Sequence, residues 1–372
     1  MGKKVLLIAA TRPNFMKVAP IFNYVRNNKV NFDVKLLHTG QHYDDKMSKV
    51  FFDQLNLPTP DINLSVGSNT HTKQIAEIMV KFEDYVLDCK PDIVLAPGDV
   101  NSTLACSLVC SKLRIPLGHI ESGLRSFDSD MPEEINRIVT DRISDYLYTP
   151  SVDANENLIK EGVSEDKIIF VGNIMIDTLK DQLREIDKID LINHMGLYPK
   201  KYMVLTLHRP SNVDNKQVLE SLIHNLLTLS SDKPIIFPIH PRTKNNILNF
   251  KLEKYFNFNN TIQLNKINAI DSLGYQEMLS LVKNSQCVIT DSGGLQEETT
   301  YLKVPCFTVR ENTERPITIT SGSNNLVGLS RDLLIEKYNE LDSLNYNNYE
   351  LPKFWDGQTS IRIVNHLISL FN

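Results

Sequence analysis

The chain has 372 residues, of which 41% are hydrophobic and 23% are charged. These proportions exclude a largely disordered chain, and the length suits two or three domains of about 150 residues each. Forty Lys and Arg stand against 45 Asp and Glu, a net charge of −5. No basic excess is available to neutralise phosphates, so we expect no nucleic-acid partner.

The pattern of cysteines and the lengths of the apolar runs indicate the cellular compartment of the protein. The five cysteines include no CxxC pair, and Cys106 and Cys110 are spaced to share a helix face. This pattern favours a reduced compartment over a disulfide framework or a metal pair. The opening run VLLIAA is too short for a signal peptide, and no run reaches the roughly 18 apolar residues of a membrane span. We therefore expect a cytoplasmic protein with no membrane partner.

Short apolar runs alternate with amphipathic stretches along the whole chain. The runs are rich in Val, Ile and Leu and do not alternate with polar residues, which is typical of strands buried on both faces. Strands are predicted at 5–10, 34–38, 93–97, 115–120, 146–149, 168–171, 203–207, 235–239, 261–264, 287–290 and 306–309. Helices are predicted at 72–87, 102–112, 133–144, 216–229, 272–282, 295–302 and 359–371.

The alternation of strands and helices predicts an α/β fold with parallel sheets. Two series of strands favour two doubly wound, Rossmann-like domains, although the pattern alone leaves an eight-stranded barrel open. The polar, mostly helical stretch 173–199 is expected to contain the domain boundary. Ligands of such sheets bind beyond the carboxyl ends of the strands, so we expect the site in a cleft between the domains.

A cationic cluster follows the first predicted strand. It consists of Thr11-Arg12-Pro13-Asn14, with Lys17 one turn into the next helix. Two cations at a helix N-terminus suit an anion, although Arg12 could equally form a local pair. Neither GxGxxG nor GxxxxGK[ST] occurs in the chain, which argues against a nicotinamide site or a P-loop.

Three carboxylates of the first half stand at strand ends or helix starts. They are Asp99 in PGDVNS, Glu121 in GHIESGLR and Glu133 in MPEEINR. Singly, Asp99 could be a helix cap, and Glu133 could pair with Arg137 four residues later. Together, three carboxylates in one pocket suit proton transfer.

The second half carries polar groups after its own strands. His208 and His240 each follow an apolar run. Ser292-Gly293-Gly294 lies between a strand and a helix, where backbone N–H groups and a hydroxyl suit a diphosphate. Glu298, one turn further, suits a ribose diol, and Arg315 adds a cation. The alternative is a tight turn that needs glycines for its geometry.

Several motifs occur together and in order: ATRPNFMKVAPI, HTGQHYD, GDVNSTLA, GHIESGLRS, MPEEINR, LHRPSNVD, TDSGGLQEE and TERPITITSGSNNLVG. Over most of its length the chain thus resembles the non-hydrolysing UDP-N-acetylglucosamine 2-epimerase family. The resemblance implies a glycosyltransferase-B-like fold with Rossmann-like domains at 1–173 and 174–355 and a terminal helix, 356–372, returning to the first. It also implies a homodimer and a reaction without a redox cofactor. No cluster of metal-ligating residues is visible in the sequence, so we expect neither a cofactor nor a divalent metal to be required.

The resemblance further implies a reaction. The family interconverts UDP-GlcNAc and UDP-ManNAc by anti elimination of UDP to 2-acetamidoglucal, followed by re-addition of UDP. By similarity, the catalytic residues are Asp99, Glu121, Glu133 and His208. The residues implied to bind the sugar and UDP are Arg12, Lys17, Arg137, His240, Ser292, Gly293, Gly294, Glu298 and Arg315.

This sequence departs from the family pattern in places. Asn14 stands where many members have Glu, and Pro210-Ser211 stands where many have Arg-Glu, so a related UDP-acetamido sugar is an alternative substrate. A hydrolysing epimerase, a glycosyltransferase and a sugar-nucleotide sensor remain further alternatives. Gln41 and His42 match a regulatory site of many bacterial members, but its arginine partner has no clear match here, which leaves regulation open.

Overall fold

The computed structural model describes residues 2–40, 52–259, 261–343 and 349–372. The chain divides into two compact units, Met1–Lys180 with Lys353–Asn372, and Asp181–Pro352. The division falls seven residues after the boundary expected at 173 and lies inside a helix, Ile174–Ile186. Within the described residues, none of the helices combines the length and apolar composition needed to span a membrane.

The first unit is built on a parallel sheet of seven strands in the order β3-β2-β1-β4-β5-β6-β7. The strands are β1 (Lys3–Ala9), β2 (Phe32–His38), β3 (Ile62–Asn63), β4 (Ile93–Pro97), β5 (Leu117–Ile120), β6 (Tyr146–Thr149) and β7 (Ile168–Phe170). Its helices are α1 (Arg12–Asn28), α2 (His71–Cys89), α3 (Asn101–Leu113), α4 (Pro132–Ile143) and α5 (Val152–Lys160), followed by α6 (Ile174–Ile186). Cys106 and Cys110 are buried on α3 as free thiols.

The second unit repeats this architecture, with the strand order β10-β11-β9-β8-β12-β13-β14. Its strands are β8 (Met203–Thr206), β9 (Ile235–Pro238), β10 (Phe256–Asn257), β11 (Ile267–Ile270), β12 (Cys287–Thr290), β13 (Cys306–Thr308) and β14 (Asn324–Leu326). Its helices are α7 (Leu191–His194), α8 (Pro210–Val213), α9 (Lys216–Leu229), α10 (Pro241–Asn249), α11 (Tyr275–Asn284), α12 (Gly293–Leu302), α13 (Ile317–Thr320) and α14 (Arg331–Glu340). Because the strands form two separate open sheets rather than one closed sheet, the eight-stranded barrel that the sequence pattern left open is excluded.

The last helix, α15 (Thr359–Phe371), belongs to the first unit. Asp177 holds its start, because the Asp177 carboxylate accepts hydrogen bonds from the backbone amides of Thr359 at 3.0 Å and Ser360 at 2.7 Å. Just before the helix, the buried Trp355 donates its indole N–H to the carbonyl of Pro150 at 3.0 Å. The chain end is thus tied to the first sheet by buried polar contacts as well as by packing.

Burial on both faces explains why the strands do not alternate in polarity. Along β8, Met203 and Leu205 pack into one apolar cluster, while Val204 packs into another on the opposite side of the sheet. All three side chains are fully buried. Because helices cover both faces of a parallel sheet, successive strand residues are all apolar.

One predicted strand is wrong. Residues 261–264 are not a strand, and the parallel strands of this region are β10 and β11. The buried side chain of Asn268 accepts a hydrogen bond from the amide of Gln263 at 2.8 Å and donates one to the carbonyl of Gln263 at 2.9 Å. The Asn268 side chain thus satisfies backbone hydrogen-bonding groups of this segment. Ile267 and Ala269 on either side of it pack into the hydrophobic core.

Each sheet has a point at which its strand order reverses. In the first sheet β1 lies between β2 and β4, and in the second β8 lies between β9 and β12. Chain segments that leave the carboxyl ends of such neighbouring strands diverge to opposite faces and leave a crevice that binds ligands in open α/β sheets. The segments after β1, β4, β8 and β12, including the starts of the helices that follow, carry Arg12, Lys17, Asp99, His208, Ser292, Gly293, Gly294 and Glu298. Glu121 and His240 follow the neighbouring strands β5 and β9.

Candidate active site

In the first unit, a buried ion pair joins α1 to the end of β5. Lys17 contacts the carboxylate of Glu121, and the two side chains are only 10% and 7% exposed. Each charge compensates the other, which buried charges require. Glu121 also has a φ of 71°, a left-handed conformation that is uncommon outside glycine and costs on the order of 1–3 kcal/mol. Backbone strain of this kind is concentrated at functional sites.

The backbone at the end of β4 closely approaches this ion pair. Gly98 has a φ of 70°, and a Cβ there would lie 2.8 Å from Lys17 Nζ and 3.5 Å from Glu121 Oε2. Asn14 fixes the neighbouring segment, donating from Nδ2 to the carbonyl of Pro97 at 3.0 Å and accepting at Oδ1 from Thr11. The residue that departs from the family pattern therefore ties the start of α1 to the end of β4.

A second ion pair holds the carboxylate of Asp99. Its Oδ2 lies 2.5 Å from Nη2 of Arg137, while Nη1 of Arg137 lies 2.8 Å from Oε2 of Glu134. The Arg137 side chain is 4% exposed and the Asp99 side chain is 27% exposed. A buried guanidinium thus presents a partly accessible carboxylate, an arrangement suited to an acid or base that must reach a substrate.

The two acids of the MPEE motif have different roles in the fold. Glu134 is buried and accepts hydrogen bonds from the amides of Ser126 and Phe127 and from the Ser126 hydroxyl. Glu133 is half-buried and makes no hydrogen bond or ion pair with the described part of the chain. The partner of Arg137 on α4 is thus Glu134, three residues away, which sequence spacing alone did not single out.

Three residues of the predicted site remain to be placed in the first unit. Arg12 is exposed at the first residue of α1, where the structure puts it beside the helix N-terminus. Gln41 and His42, predicted as regulatory residues, lie outside the described residues.

In the second unit, Asp291 at the end of β12 organises the segment after β8. Its buried carboxylate lies 2.9 Å from Nδ1 of His208 and accepts hydrogen bonds from the amides of His208 at 3.0 Å and Arg209 at 2.9 Å. Burial alone would raise the pKa of Asp291, but the hydrogen bonds and charge of His208 and the amide donors hold it below its ordinary value. Sequence analysis missed Asp291, although it directly precedes the Ser-Gly-Gly turn.

The Ser-Gly-Gly turn begins α12. Ser292 precedes the helix, and its hydroxyl makes no capping hydrogen bond within the described chain. A Cβ on Gly293 would lie 2.5 Å from Nη1 of Arg315, whereas a Cβ on Gly294 would meet nothing within 4 Å. The N-terminus of a ten-residue helix, an uncommitted hydroxyl and an adjacent guanidinium form a site suited to an anion.

Arg315 belongs to a cluster of buried charges beside this turn. Its Nε lies 2.8 Å from Glu297 and its Nη1 lies 2.5 Å from Glu314. Arg310 lies 2.9 Å from Glu314, and burial, partly offset by Glu314, lowers the pKa of Arg310. Sequence analysis singled out only Arg315 of this cluster, although Glu297 lies in the motif TDSGGLQEE and Glu314 in the motif TERPITITSGSNNLVG.

Glu298, on the next part of α12, is a buried carboxyl. Burial raises its pKa to about 8; the nearby Tyr275 hydroxyl opposes that effect and the charge of Glu297 adds to it. Glu298 therefore carries a proton near neutral pH, so it can donate as well as accept a hydrogen bond.

His240 lies at the start of α10, where its Nδ1 accepts a hydrogen bond from the amide of Arg242 at 3.2 Å. Burial lowers the pKa of His240, and the charges of His208 and Arg242 lower it further. The neutral ring therefore carries its proton on Nε2.

Known proteins resemble this chain over nearly its whole length. The profile of a family described as UDP-N-acetylglucosamine 2-epimerase matches residues 25–368. A UDP-N-acetylglucosamine 2-epimerase of Methanocaldococcus jannaschii is 43% identical, over 97% of this chain and 98% of that protein. A UDP-2,3-diacetamido-2,3-dideoxy-D-glucuronate 2-epimerase of Pseudomonas aeruginosa is 38% identical, over 99% of this chain and 100% of that protein.

Solved structures show the same likeness. The M. jannaschii epimerase in complex with UDP-GlcNAc and UDP has a TM-score of 0.87 at 42% identity, covering 98% of this chain and 99% of that one. A lipopolysaccharide outer core galactosyltransferase, 12% identical with a TM-score of 0.57, shares the fold and covers 99% of each chain. The chain is thus an α/β protein of glycosyltransferase-B-like fold, as predicted.

Within this class, the relatives carry the names of sugar-nucleotide 2-epimerases. The chain belongs to the UDP-N-acetylglucosamine 2-epimerase family. The resemblance drawn from the motifs is confirmed.

Proposed function

We propose that this protein is a non-hydrolysing UDP-N-acetylglucosamine 2-epimerase that interconverts UDP-GlcNAc and UDP-ManNAc. The observation that carries the proposal is the strained Glu121, whose carboxylate pairs with the buried Lys17 beside Gly98. Family membership supports the substrate, since the M. jannaschii relative is named for UDP-GlcNAc and was solved with it.

The reaction inverts one carbon in two steps. In the first, a carboxylate removes the C2 proton, the electrons form a C1=C2 double bond and the C1–O bond to UDP breaks, giving 2-acetamidoglucal. In the second, a proton is delivered to the opposite face of C2 while an oxygen of UDP bonds again to C1. Because the two proton transfers occur on opposite faces, two positioned acid/base groups are needed.

The first unit offers three candidates for these groups. Asp99 and Glu121 are each held by a buried cation and follow the ends of neighbouring strands. Glu133, free of such a partner in the described chain and half-buried, is the third candidate. A positioned acid or base contributes about 10²–10⁴-fold in rate, so loss of either transferring group is readily measured.

The second unit contains the groups proposed for UDP. The N-terminus of α12, the Ser292 hydroxyl and Arg315 suit the diphosphate, while Glu298 suits the ribose hydroxyls. His208, oriented by Asp291, is proposed to act on the leaving phosphate. Stabilising the departing charge matters because the C2 proton is only weakly acidic.

The cationic surroundings favour a non-hydrolysing course. UDP must stay bound after it leaves C1 so that it, rather than water, adds to the intermediate. A turn with an uncommitted hydroxyl beside a buried arginine supports such retention. The same positive groups support a diphosphate that needs no divalent metal, so activity is expected to persist in EDTA.

We also propose a homodimer, which sedimentation analysis would test.

A second candidate substrate is UDP-2,3-diacetamido-2,3-dideoxy-D-glucuronate. The P. aeruginosa relative named for it matches 99% of this chain at 38% identity. An epimerase of this sugar would use the same proton transfers, with different contacts at C3 and C6.

Incubation with UDP-GlcNAc in D₂O, followed by proton NMR, tests these proposals together. UDP-ManNAc with deuterium at C2 is the expected product, and free ManNAc with UDP would indicate a hydrolysing enzyme. No change with UDP-GlcNAc, but turnover of the diacetamido sugar, would favour the second candidate. Glu121→Gln should lower turnover at least about 10²-fold while calorimetry shows that UDP still binds, and unchanged turnover would remove Glu121 from the mechanism.

A further inference from the structure

His119 lies on β5, two residues before Glu121, and is fully buried. Both nitrogens of its ring have partners. Nδ1 lies 2.6 Å from Oδ1 of Asp141, and Nε2 lies 2.8 Å from the carbonyl oxygen of Gly98. The ring therefore bridges α4, which carries Asp141, and the segment that follows β4.

The bond to Gly98 places one proton on the ring. A backbone carbonyl oxygen can only accept a hydrogen bond, so Nε2 of His119 carries a proton and donates a hydrogen bond to Gly98. Nδ1 faces the carboxylate of Asp141. Burial would raise the pKa of Asp141, but His119 and Arg125 outweigh burial and hold it below its ordinary value.

Asp141 also joins the ring to an arginine. It lies 2.7 Å from Nη1 of Arg125 and accepts a hydrogen bond from the amide of Gly123 at 3.1 Å. Arg125 in turn donates to both carboxylate oxygens of the exposed Glu161, at 2.7 and 2.8 Å. The buried Asp141 thus has a buried guanidinium to compensate its charge, which buried charges require.

The bond to Gly98 reaches the peptide that carries Asp99. The Gly98 carbonyl and the Asp99 amide belong to one planar unit, so fixing the carbonyl also fixes the start of Asp99. The backbone of His119 leads directly to Glu121 along β5. One side chain thus links the two strand ends from which Asp99 and Glu121 project.

We infer that His119 is a positioning residue for the proposed epimerisation: its ring, hydrogen-bonded to Gly98 and Asp141, fixes the Asp99 carboxylate relative to the Glu121 carboxylate. This inference rests on the proposed function. Protons removed from one face of C2 and delivered to the other require a set separation of the two groups. A misplacement of about 1 Å can cost on the order of 10²-fold in rate.

Two substitutions at His119 each remove one of the two hydrogen bonds of its ring and leave the other. The amide nitrogen of His119→Asn takes the place of Nδ1, so it can still donate to Asp141 while the bond to Gly98 is lost. The amide nitrogen of His119→Gln reaches about as far as Nε2, so it can still donate to Gly98. We expect kcat to fall on the order of 10²-fold in H119N and markedly less in H119Q, with UDP affinity by calorimetry unchanged in both.

Epimerisation by the wild-type protein and the folded state of each variant are checked first. If wild-type protein does not epimerise, the proposed function fails. If wild-type protein is active and folded H119N keeps its kcat, or if H119N and H119Q are equally impaired, the positioning assignment is overturned. Should H119N not fold, ¹⁵N NMR of His119 in wild-type protein decides: a proton on Nε2 supports the assignment, and an unprotonated Nε2 overturns it.

Discussion

The carboxylate of Asp291 holds His208 by its ring and by its backbone amide at once, at 2.9 and 3.0 Å. The two residues lie on segments that follow neighbouring strands of the second sheet, β8 and β12. Asp291 thereby fixes both the position of the segment and the orientation of the imidazole. A histidine held in this way presents Nε2 to its surroundings in one direction.

Asp291→Asn is expected to lower kcat more than it weakens UDP binding. The neutral amide can occupy the same space but accepts fewer hydrogen bonds from the ring and backbone of the 208–209 segment. We expect a loss on the order of 10²-fold, the scale for a displaced acid/base group. Steady-state kinetics beside UDP calorimetry measures this, and a variant with wild-type kcat would contradict a role for the pair.

Ser292→Ala is expected to weaken UDP binding at little cost in stability. The Ser292 hydroxyl makes no capping hydrogen bond in the described chain, so its removal leaves the fold without a lost contact. The loss of one hydrogen bond to a charged phosphate is worth about 1.5–3 kcal/mol, or roughly 10–100-fold in Kd. Titration calorimetry with UDP gives the value directly.

Ser330→Ala is the matched control. Ser330 also precedes a helix, but its hydroxyl accepts a hydrogen bond from the amide of Leu333 at 3.3 Å. Its replacement should cost about 1 kcal/mol of stability, as for other helix caps, and leave UDP affinity unchanged. Equal effects of the two substitutions on UDP affinity would refute the anion site at α12.

Gly98→Ala is expected to abolish most activity. The residue has a φ of 70°, and a Cβ would lie 2.8 Å from Nζ of Lys17. The substitution therefore carries a backbone cost of roughly 1–2 kcal/mol and also displaces the ion pair with Glu121. Thermal unfolding measures the loss of stability, and turnover measures the consequence of displacing the ion pair. The two measurements together separate the two effects.

Gly162→Ala isolates the backbone cost. Gly162 has a φ of 78°, and a Cβ there would meet nothing within 4 Å. The variant should lose a similar amount of stability and keep its turnover. If Gly98→Ala were as active as Gly162→Ala, the close approach at Lys17 would have no part in the reaction.

The buried carboxyl of Glu298 makes stability depend on pH. Its pKa is about 8 in the folded protein against an ordinary value of 4.5. Between these values the folded state holds a proton that the unfolded state lacks, so stability falls as pH rises. The contribution is complete below pH 4.5 and is lost as pH passes about 8.

Glu298→Gln should remove this dependence, because an amide does not titrate. Melting temperature measured without ligand from pH 6 to 9 should fall more steeply in the wild-type protein than in the variant. Parallel curves would show that the carboxyl is ionised in the folded state. In the wild-type protein, UDP binding should release a proton if the ribose hydroxyls require the carboxylate, which calorimetry in buffers of different ionisation enthalpy detects.

The local pattern of apolar and polar residues was sufficient to predict most helices and strands of the fold. The helices predicted at 216–229 and 359–371 match α9 and α15 residue for residue. Their apolar residues recur at helical spacing, and the segments are bounded by polar loops. The strand predicted at 261–264 failed because a buried side chain, Asn268, replaces a neighbouring strand, and no local pattern encodes that contact.

The sequence by itself determined the α/β class, the family and the segments that carry polar groups at strand ends, because these depend on periodicity and on motifs of adjacent residues. Tertiary structure alone decided which charges meet. It paired Lys17 with Glu121 across 104 positions of the chain, selected Glu134 as the partner of Arg137 on α4, and brought Asp291 to His208. The pairs Lys17–Glu121 and His208–Asp291 depend on strand order, which brings together residues whose separation along the chain contains no signal of contact. On α4, where residues three and four apart are both neighbours of Arg137, burial distinguishes Glu134 from Glu133.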